Sequence, residues 1–179
     1  MSEVTVITAS LPERVAQREE CIRSVAAQIL KPADHLIAID YQKIGGWRPR
    51  NVLASQVETK WTQLLDDDDL LLPNHIETML DHADGVDVVY SYASVIGDPA
   101  FNLYNRPFDP DLLRTTSIVS HVAMVRTELI LDLGGFDNER GYDWKFWIRA
   151  LDVGAKFLAV PETTWVYRLN PEWSHESRP

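Results

Sequence analysis

Trp61-Thr62-Gln63-Leu64-Leu65-Asp66-Asp67-Asp68-Asp69-Leu70-Leu71-Leu72-Pro73 sets four consecutive carboxylates between two apolar runs. The first run has the length and composition of a buried strand, and Pro73 halts the second. By composition alone, a run of acids is more often a solvated loop. Here the flanks draw it to the margin of a core, where solvent dilutes the repulsion incompletely. Unit charges ~4 Å apart repel by about 4 kcal/mol at the effective dielectric near a protein surface. A divalent cation removes that cost, and hard cations such as magnesium, manganese or calcium favour carboxylate oxygens. The stretch therefore reads as a metal site at the end of a strand.

Upstream, Val4-Thr5-Val6-Ile7 is a short β-branched strand, and Ser10-Leu11-Pro12-Glu13 spells a capping box with proline in the first turn. Ile22, Val25, Ala26 and Ile29 continue at helical spacing, so a helix is expected to about Leu30, before Pro32. A second strand, His35 to Asp40, ends on an acid. The Gly45-Gly46 loop and a short helix over 51–58 lead into the acidic stretch. Beyond Pro73, Ile76, Met79, Leu80 and Ala83 share one helical face, and residues 86–92 form a further strand. Strands alternating with helices imply a parallel, doubly wound sheet whose ligands bind beyond the carboxyl ends of its strands. Residues 8–10, Asp40 and the four aspartates would converge there, an order that suits a nucleotide.

The second half is less regular. Residues 97–117 read as a loop, 121–125 as a strand, and 127–133 as a helix ended by Gly134-Gly135. Asp143 opens a helix with Trp144, Trp147, Ile148 and Leu151 on one side and Phe146, Ala150 and Val153 nearly opposite. Such a helix is buried. Strands over 157–160 and 164–168 precede a polar tail. No linker or repeat divides the chain, so residues 1–179 are expected to form a single domain.

Composition is that of a globular protein with a core: 45% hydrophobic and 25% charged over 179 residues. No segment reaches the ~20 apolar residues of a membrane span. The N-terminus lacks a basic-then-apolar leader, and the lone Cys21 excludes an internal disulfide and suits a buried thiol. The cytoplasm is the expected compartment. A formal net charge of -10 argues against general affinity for nucleic acid. Lys43, Arg48 and Arg50 form the one basic stretch, over residues 41–50.

These residues carry a resemblance to family 2 of the nucleotide-sugar glycosyltransferases, which have the GT-A fold. Leu65-Asp66-Asp67-Asp68-Asp69 with Pro73 is similar to that family's Leu-Asp-x-Asp-Asp…Pro segment, which contains the DXD motif. Ser24-Val25-Ala26-Ala27-Gln28 matches the end of its first helix. Gly134-Gly135-Phe136-Asp137 followed by Asp143-Trp144-Lys145-Phe146-Trp147-Ile148-Arg149 resembles its Gly-Gly-Phe-Asp…Glu-Asp-Trp-x-x-Trp-x-Arg block. Tyr167-Arg168-Leu169-Asn170-Pro171 with Ser174 resembles its closing segment.

The resemblance implies a single α/β GT-A (Rossmann-like) domain, with a mostly parallel central sheet flanked by helices. Its nucleotide-binding half would span about 1–70 and its acceptor-binding half about 71–179. It implies metal-dependent, inverting transfer from a nucleotide-diphosphate sugar, a UDP-sugar by family frequency, with Mn2+ or Mg2+ as cofactor. Asp68 and Asp66 would hold the metal. Thr8, Ala9, Ser10, Asp40, Arg50, Asp66 and Asp67 would bind the donor, and Asp143 would be the general base. Gly135, Tyr142, Trp144 and His121 are candidates for the acceptor side, and Asn170 and His175 for an extra metal ligand. The acceptor is open: a saccharide, glycolipid, protein or modified nucleic-acid base.

Two departures stand out. Tyr142 replaces the family's Glu before the base, and Asn170 replaces a common metal-binding His. They keep a non-catalytic nucleotide-sugar binding protein of the same fold as the alternative. A calcium loop fails because Leu71 stands where its glycine belongs. An aspartyl phosphotransferase would carry its motif after the first strand, and a nucleotidyltransferase a Gly-rich loop there.

Overall fold

A computed structural model of the chain describes residues 2–97 and 103–169. Among these residues, seven strands form one mixed sheet in the order β2-β1-β3-β6-β5-β7-β4, where β1 is Val4–Ser10, β2 Asp34–Ile39, β3 Trp61–Leu64, β4 Leu70–Leu71, β5 Val88–Ile96, β6 Ala123–Arg126 and β7 Phe157–Arg168. The helices are α1 (Val15–Ala26), α2 (Trp47–Ala54), α3 (His75–Asp81), α4 (Pro110–Leu113), α5 (Thr127–Asp132) and α6 (Tyr142–Asp152).

Side-chain alternation sorts the strands' apolar residues onto two faces. Val4 and Val6, Trp61, Val89 and Met124 meet Cys21 and Val25 of α1 and Ile76 and Met79 of α3. Ile7, Leu64, Val88, Tyr90, Ala123 and Val125 meet α2, α4, α5 and α6 on the other face. Each face is thus a dry layer, and the α/β architecture expected from the alternation is the one found.

The order of β2, β1 and β3 is parallel, so their carboxyl ends share one edge. β6 runs antiparallel to β3 and to β5. β7 runs parallel to β5 and antiparallel to β4. The reversals bring the start of β6 and the end of β7 to the edge where β3 ends.

Several local expectations are corrected. Ser10 does not cap a helix: it ends β1, and its hydroxyl donates to the Leu11 carbonyl while accepting from Arg18. The first helix starts five residues later and stops at Ala26, leaving Ile29 65% exposed. The helix read as 51–58 spans Trp47–Ala54, because Gly46 opens it with Pro49 in its first turn. Residues 97–117 contain α4, capped by Asp109. The strands read as 157–160 and 164–168 are one strand with a bulge, where Ser91 faces Val160 but Tyr92 faces Thr163, setting Pro161 where no ladder donor is needed. Asp143 is not the cap of α6; Gly141 is, at φ 69°, and Asp143 lies within the first turn. As expected, Phe146, Trp147 and Ala150 of that helix are buried.

One buried polar chain crosses the first layer. His75, 0% exposed, has Nε2 3.0 Å from Gln63 Oε1 and Nδ1 2.7 Å from Thr164 Oγ1, which lies 2.6 Å from Ser91 Oγ. An amide oxygen only accepts, so Nε2 carries the proton and the Thr164 hydroxyl donates to Nδ1. Burial pushes the imidazole down to about 3. Its unfolded value is about 6.5, so the unfolded chain binds the extra proton first. Stability from this group is therefore full above pH ~6.5 and is lost as the pH falls toward 3. Urea melts between pH 7 and 4 should lose about 1.4 kcal/mol per pH unit below pH ~6 from this group, and His75→Gln should flatten that slope.

Candidate functional site

The register of the sheet decides which groups surround the acidic run. Asp40 N donates to Ser10 O (2.8 Å) and Leu65 N to Ile7 O (3.1 Å), so the ends of β1, β2 and β3 are level. His121, two residues before β6, lands beside Asp66 and Asp69. Its Nε2 is 2.7 Å from Asp69 Oδ2 and 3.7 Å from Asp66 Oδ2. Arg168, closing β7, donates its backbone N–H to Asp69 Oδ1 (2.9 Å).

The four carboxylates have separate roles. Asp69 is 1% exposed and has both oxygens engaged. Asp67 is 2% exposed and accepts from Arg14 Nη1 (2.8 Å) and Leu11 N (3.3 Å), tying the loop after β1 to the run. Asp66 accepts from Arg50, and Asp68 from Arg14 Nη1 (2.9 Å). The Asp66 and Asp68 side chains keep 32% and 28% of their surface open. Those two can meet a ligand.

The protein answers much of the repulsion with its own cations. Burial opposes the charge of Asp66, but Arg50 and then His121 hold it below the usual carboxylate range. Burial likewise pulls His121 down, yet Asp66 and the Asp69 hydrogen bond raise it to about 9. Asp68 is only partly answered, sharing Arg14 with Asp67: burial, then Asp66 and Asp69, push it up to about 6 against that cation. That surplus negative charge is what a divalent cation would neutralise.

Asp66, Asp69 and His121 present ligand atoms within 4.8 Å of one another. Carboxylate oxygens suit a hard divalent cation. The residues present therefore fit a divalent metal. Asp66 and Asp68 hold the outer, open position, and Asp69 with protonated His121 lies beneath. Sequence reading put His121 on the acceptor side and gave Asp69 no role; strand pairing distant in sequence brings His121 and the Arg168 N–H onto Asp69.

Arg50 is a buried residue of α2. It is 1% exposed, pairs with Asp66, and lies 5.2 Å from the Tyr142 ring centre and 5.9 Å from that of Phe136. Burial opposes its charge and Asp66 restores it, leaving the guanidinium above its ordinary value. From there it orients Asp66. Arg48 is exposed. Tyr142 is pushed up to about 12 by burial, against Arg50, with Asp66 and Asp143 adding to the rise. Tyr142 stands in the first turn of α6 beside the Arg50 that pairs with Asp66, so that turn lies close to the acidic run.

The other sequence candidates are distributed as follows. Thr8 is fully buried, with Oγ1 2.9 Å from His35 Nε2, and so points into the α1 layer. Ser10 is buried and Ala9 partly open. Asp40 accepts from Gly45 N (3.0 Å), shaping the loop after β2. A recess of about 310 Å³ opens beside it, lined by Ala38, Tyr41, Ile44, Arg48 and Val52 among others. A hollow of about 490 Å³ near Lys60 and Arg126 lies at the opposite end of β3, away from the converging acids. Gly135 is pressed against Asn51, which bonds both N and O of Phe136 at 2.8 Å. Trp144 is half-buried and donates to the Leu113 carbonyl (2.7 Å), while Trp147 and Trp165 are wholly buried in the core. Asn170 and His175 lie outside the described residues. Sequence reading missed Arg14 and Asn51. The one signal for Arg14 was a basic residue just after the end of β1.

No family model matches the sequence, and no curated protein matches it. Solved structures do. S. aureus TarS (residues 1–349), a GT-A glycosyltransferase, aligns with a TM-score of 0.76 at 16% identity, over 94% of this chain and 60% of its own. TarS in complex with UDP-GlcNAc aligns with a TM-score of 0.78 at 15% identity, over 100% and 62%. The mannosyltransferase PcManGT from Pyrobaculum calidifontis, in complex with GDP-Man and Mn2+, gives 0.70 at 15%, over 97% and 59%. The chain thus spans about three fifths of the length of these structures. Within that length the strands and flanking helices correspond, and the fold is that of the GT-A glycosyltransferases.

Proposed function

We propose that the chain transfers a sugar from a nucleotide-diphosphate sugar, a UDP-sugar first, to an acceptor hydroxyl with inversion at the anomeric carbon. The observation that carries this reading is the pair of open carboxylates, Asp66 and Asp68, at the edge where β1, β2 and β3 end, with the first turn of α6, which contains Asp143, packed through Tyr142 on the Arg50 that holds Asp66. Residues up to about 70 hold the donor in this reading, and those beyond hold the acceptor.

Asp66 and Asp68 hold Mn2+ or Mg2+, which supplies neutralisation of the leaving diphosphate. Arg50 fixes Asp66 from below. Asp40 and the recess beside it receive the base, and the end of β1 borders the nucleoside. Asp143 takes the proton of the acceptor hydroxyl as that oxygen bonds to the anomeric carbon. The bond from that carbon to the diphosphate oxygen breaks, and its electron pair leaves on the nucleoside diphosphate. A second reading, a nucleotide-sugar binder without transfer, is favoured by Tyr142, whose ring covers Arg50 where the resemblance gives a Glu.

Calorimetry tests the donor half directly. Wild type should bind UDP with manganese, and Asp68→Ala should weaken that binding by about tenfold or more, each tenfold being about 1.4 kcal/mol. Binding of UDP that ignores manganese, or an Asp68→Ala variant equal to the parent, would remove the basis of the reading.

A further inference from the structure

Among the described residues, the four carboxylates of the run meet three cationic side chains, and one of these, Arg14, stands at the mouth. Arg50 and His121 are 1% and 8% exposed and lie beneath. The Arg14 side chain is 30% exposed, and its single Nη1 serves both Asp67 Oδ1 (2.8 Å) and Asp68 Oδ2 (2.9 Å). The two halves of that bridge are unequal. Asp67 is 2% exposed and also held by Leu11 N, so Arg14 is anchored there. Asp68 has 28% of its side chain open and accepts no other hydrogen bond among the described residues. The Asp68 half can be surrendered while the guanidinium stays on Asp67. A divalent ion carries twice its charge and binds carboxylate oxygen directly.

We infer that Arg14 is a place-holding cation: it occupies Asp68 until a divalent metal arrives, yields that carboxylate, and turns its freed donors to the diphosphate that follows. The inference rests on the donor-binding reading above and gives it a mechanism of order. With Asp68 paired to Arg14, free metal binds weakly; with a diphosphate present, the displaced guanidinium gains an anion in exchange. Metal and diphosphate would therefore bind cooperatively, through a planar donor group suited to phosphate oxygens.

The test is titration of Mn2+, alone and with saturating UDP, into wild type, Arg14→Gln and Arg14→Lys, with thermal melts run beside them. Arg14→Gln should bind Mn2+ alone about tenfold more tightly than wild type, since a competing charge is gone. UDP should tighten Mn2+ binding less in that variant than in wild type. Arg14→Lys, which keeps the charge, should stay near wild type for Mn2+ alone. A merely structural arginine gives the opposite sign, because loosening the run weakens metal binding. Unchanged or weaker Mn2+ binding by Arg14→Gln, or undiminished coupling to UDP, overturns the inference while wild-type Mn2+–UDP binding leaves the donor reading standing. Wild type that binds no Mn2+ even with UDP overturns both.

Discussion

Asp143→Asn is expected to lower sugar transfer by about 10²- to 10⁴-fold, the usual worth of a positioned general base, while manganese-assisted UDP binding stays within about twofold. The split follows from where the residue sits. Asp143 lies in the first turn of α6, and among the described residues it has no part in the hydrogen bonds and ion pairs of Arg14, Arg50 and His121 that shape the run. The amide keeps its size and cannot take the acceptor's proton. Removing its charge takes away one of the groups that hold His121 protonated, but Asp66 and Asp69 precede it in that effect. The measurement is initial-rate transfer to an acceptor, or donor hydrolysis, beside calorimetry with UDP. If both proteins bind UDP and neither turns over, the binding-protein reading prevails. If Asp143→Asn turns over like wild type, the base is another residue.

Gly135→Ala should be among the most destabilising single changes away from the buried side chains, by roughly 2–4 kcal/mol. Residue 135 has φ 79°, where an L side chain costs about 1–2 kcal/mol. A Cβ there would also lie 2.3 Å from Asn51 Oδ1 and 2.7 Å from its Cγ. Asn51 would have to give up its two 2.8 Å bonds to Phe136, each worth about 1 kcal/mol. Gly134 supplies the control. It has φ 73° but nothing within 4 Å of its Cβ position, so Gly134→Ala should cost only the backbone strain. For a chain of this size the difference is several degrees in Tm. An Asn51→Ala,Gly135→Ala double variant should be less destabilised than the sum of its singles, since they remove the same contact. Equal losses at 134 and 135 would show that packing against α2 contributes nothing.

Gly134 and Gly135 illustrate how local pattern and contact diverge. A glycine pair after a helix reads as a C-cap, and Gly134 N and Gly135 N do bond back to Leu131 O and Ile130 O (3.0 and 2.9 Å). The stringency at 135 comes from Asn51, 84 positions earlier, which no spacing rule reveals. The edges of α1 were misread for a related reason. Ser10-Leu11-Pro12-Glu13 satisfies the cap pattern, but the parallel pairing of Ser10 with Ile39 extends the strand through it. Tertiary pairing overrode a local preference of about 1 kcal/mol.

Alternation of apolar residues and the Asp66–Asp69 run between apolar flanks were enough to determine two helix-covered sheet faces and an acidic site at a strand end. Those are short-range properties, set by side-chain period and by the cost of burying charge. Which carboxylate is open and which is sealed, and that Arg14, Arg50 and His121 share their neutralisation, was decided only by strand order. β6, antiparallel to β3, and β7, parallel to β5, carry His121 and Arg168 to the end of β3. Coulomb interactions depend on distance in space, and a linear sequence does not hold that distance until the sheet closes.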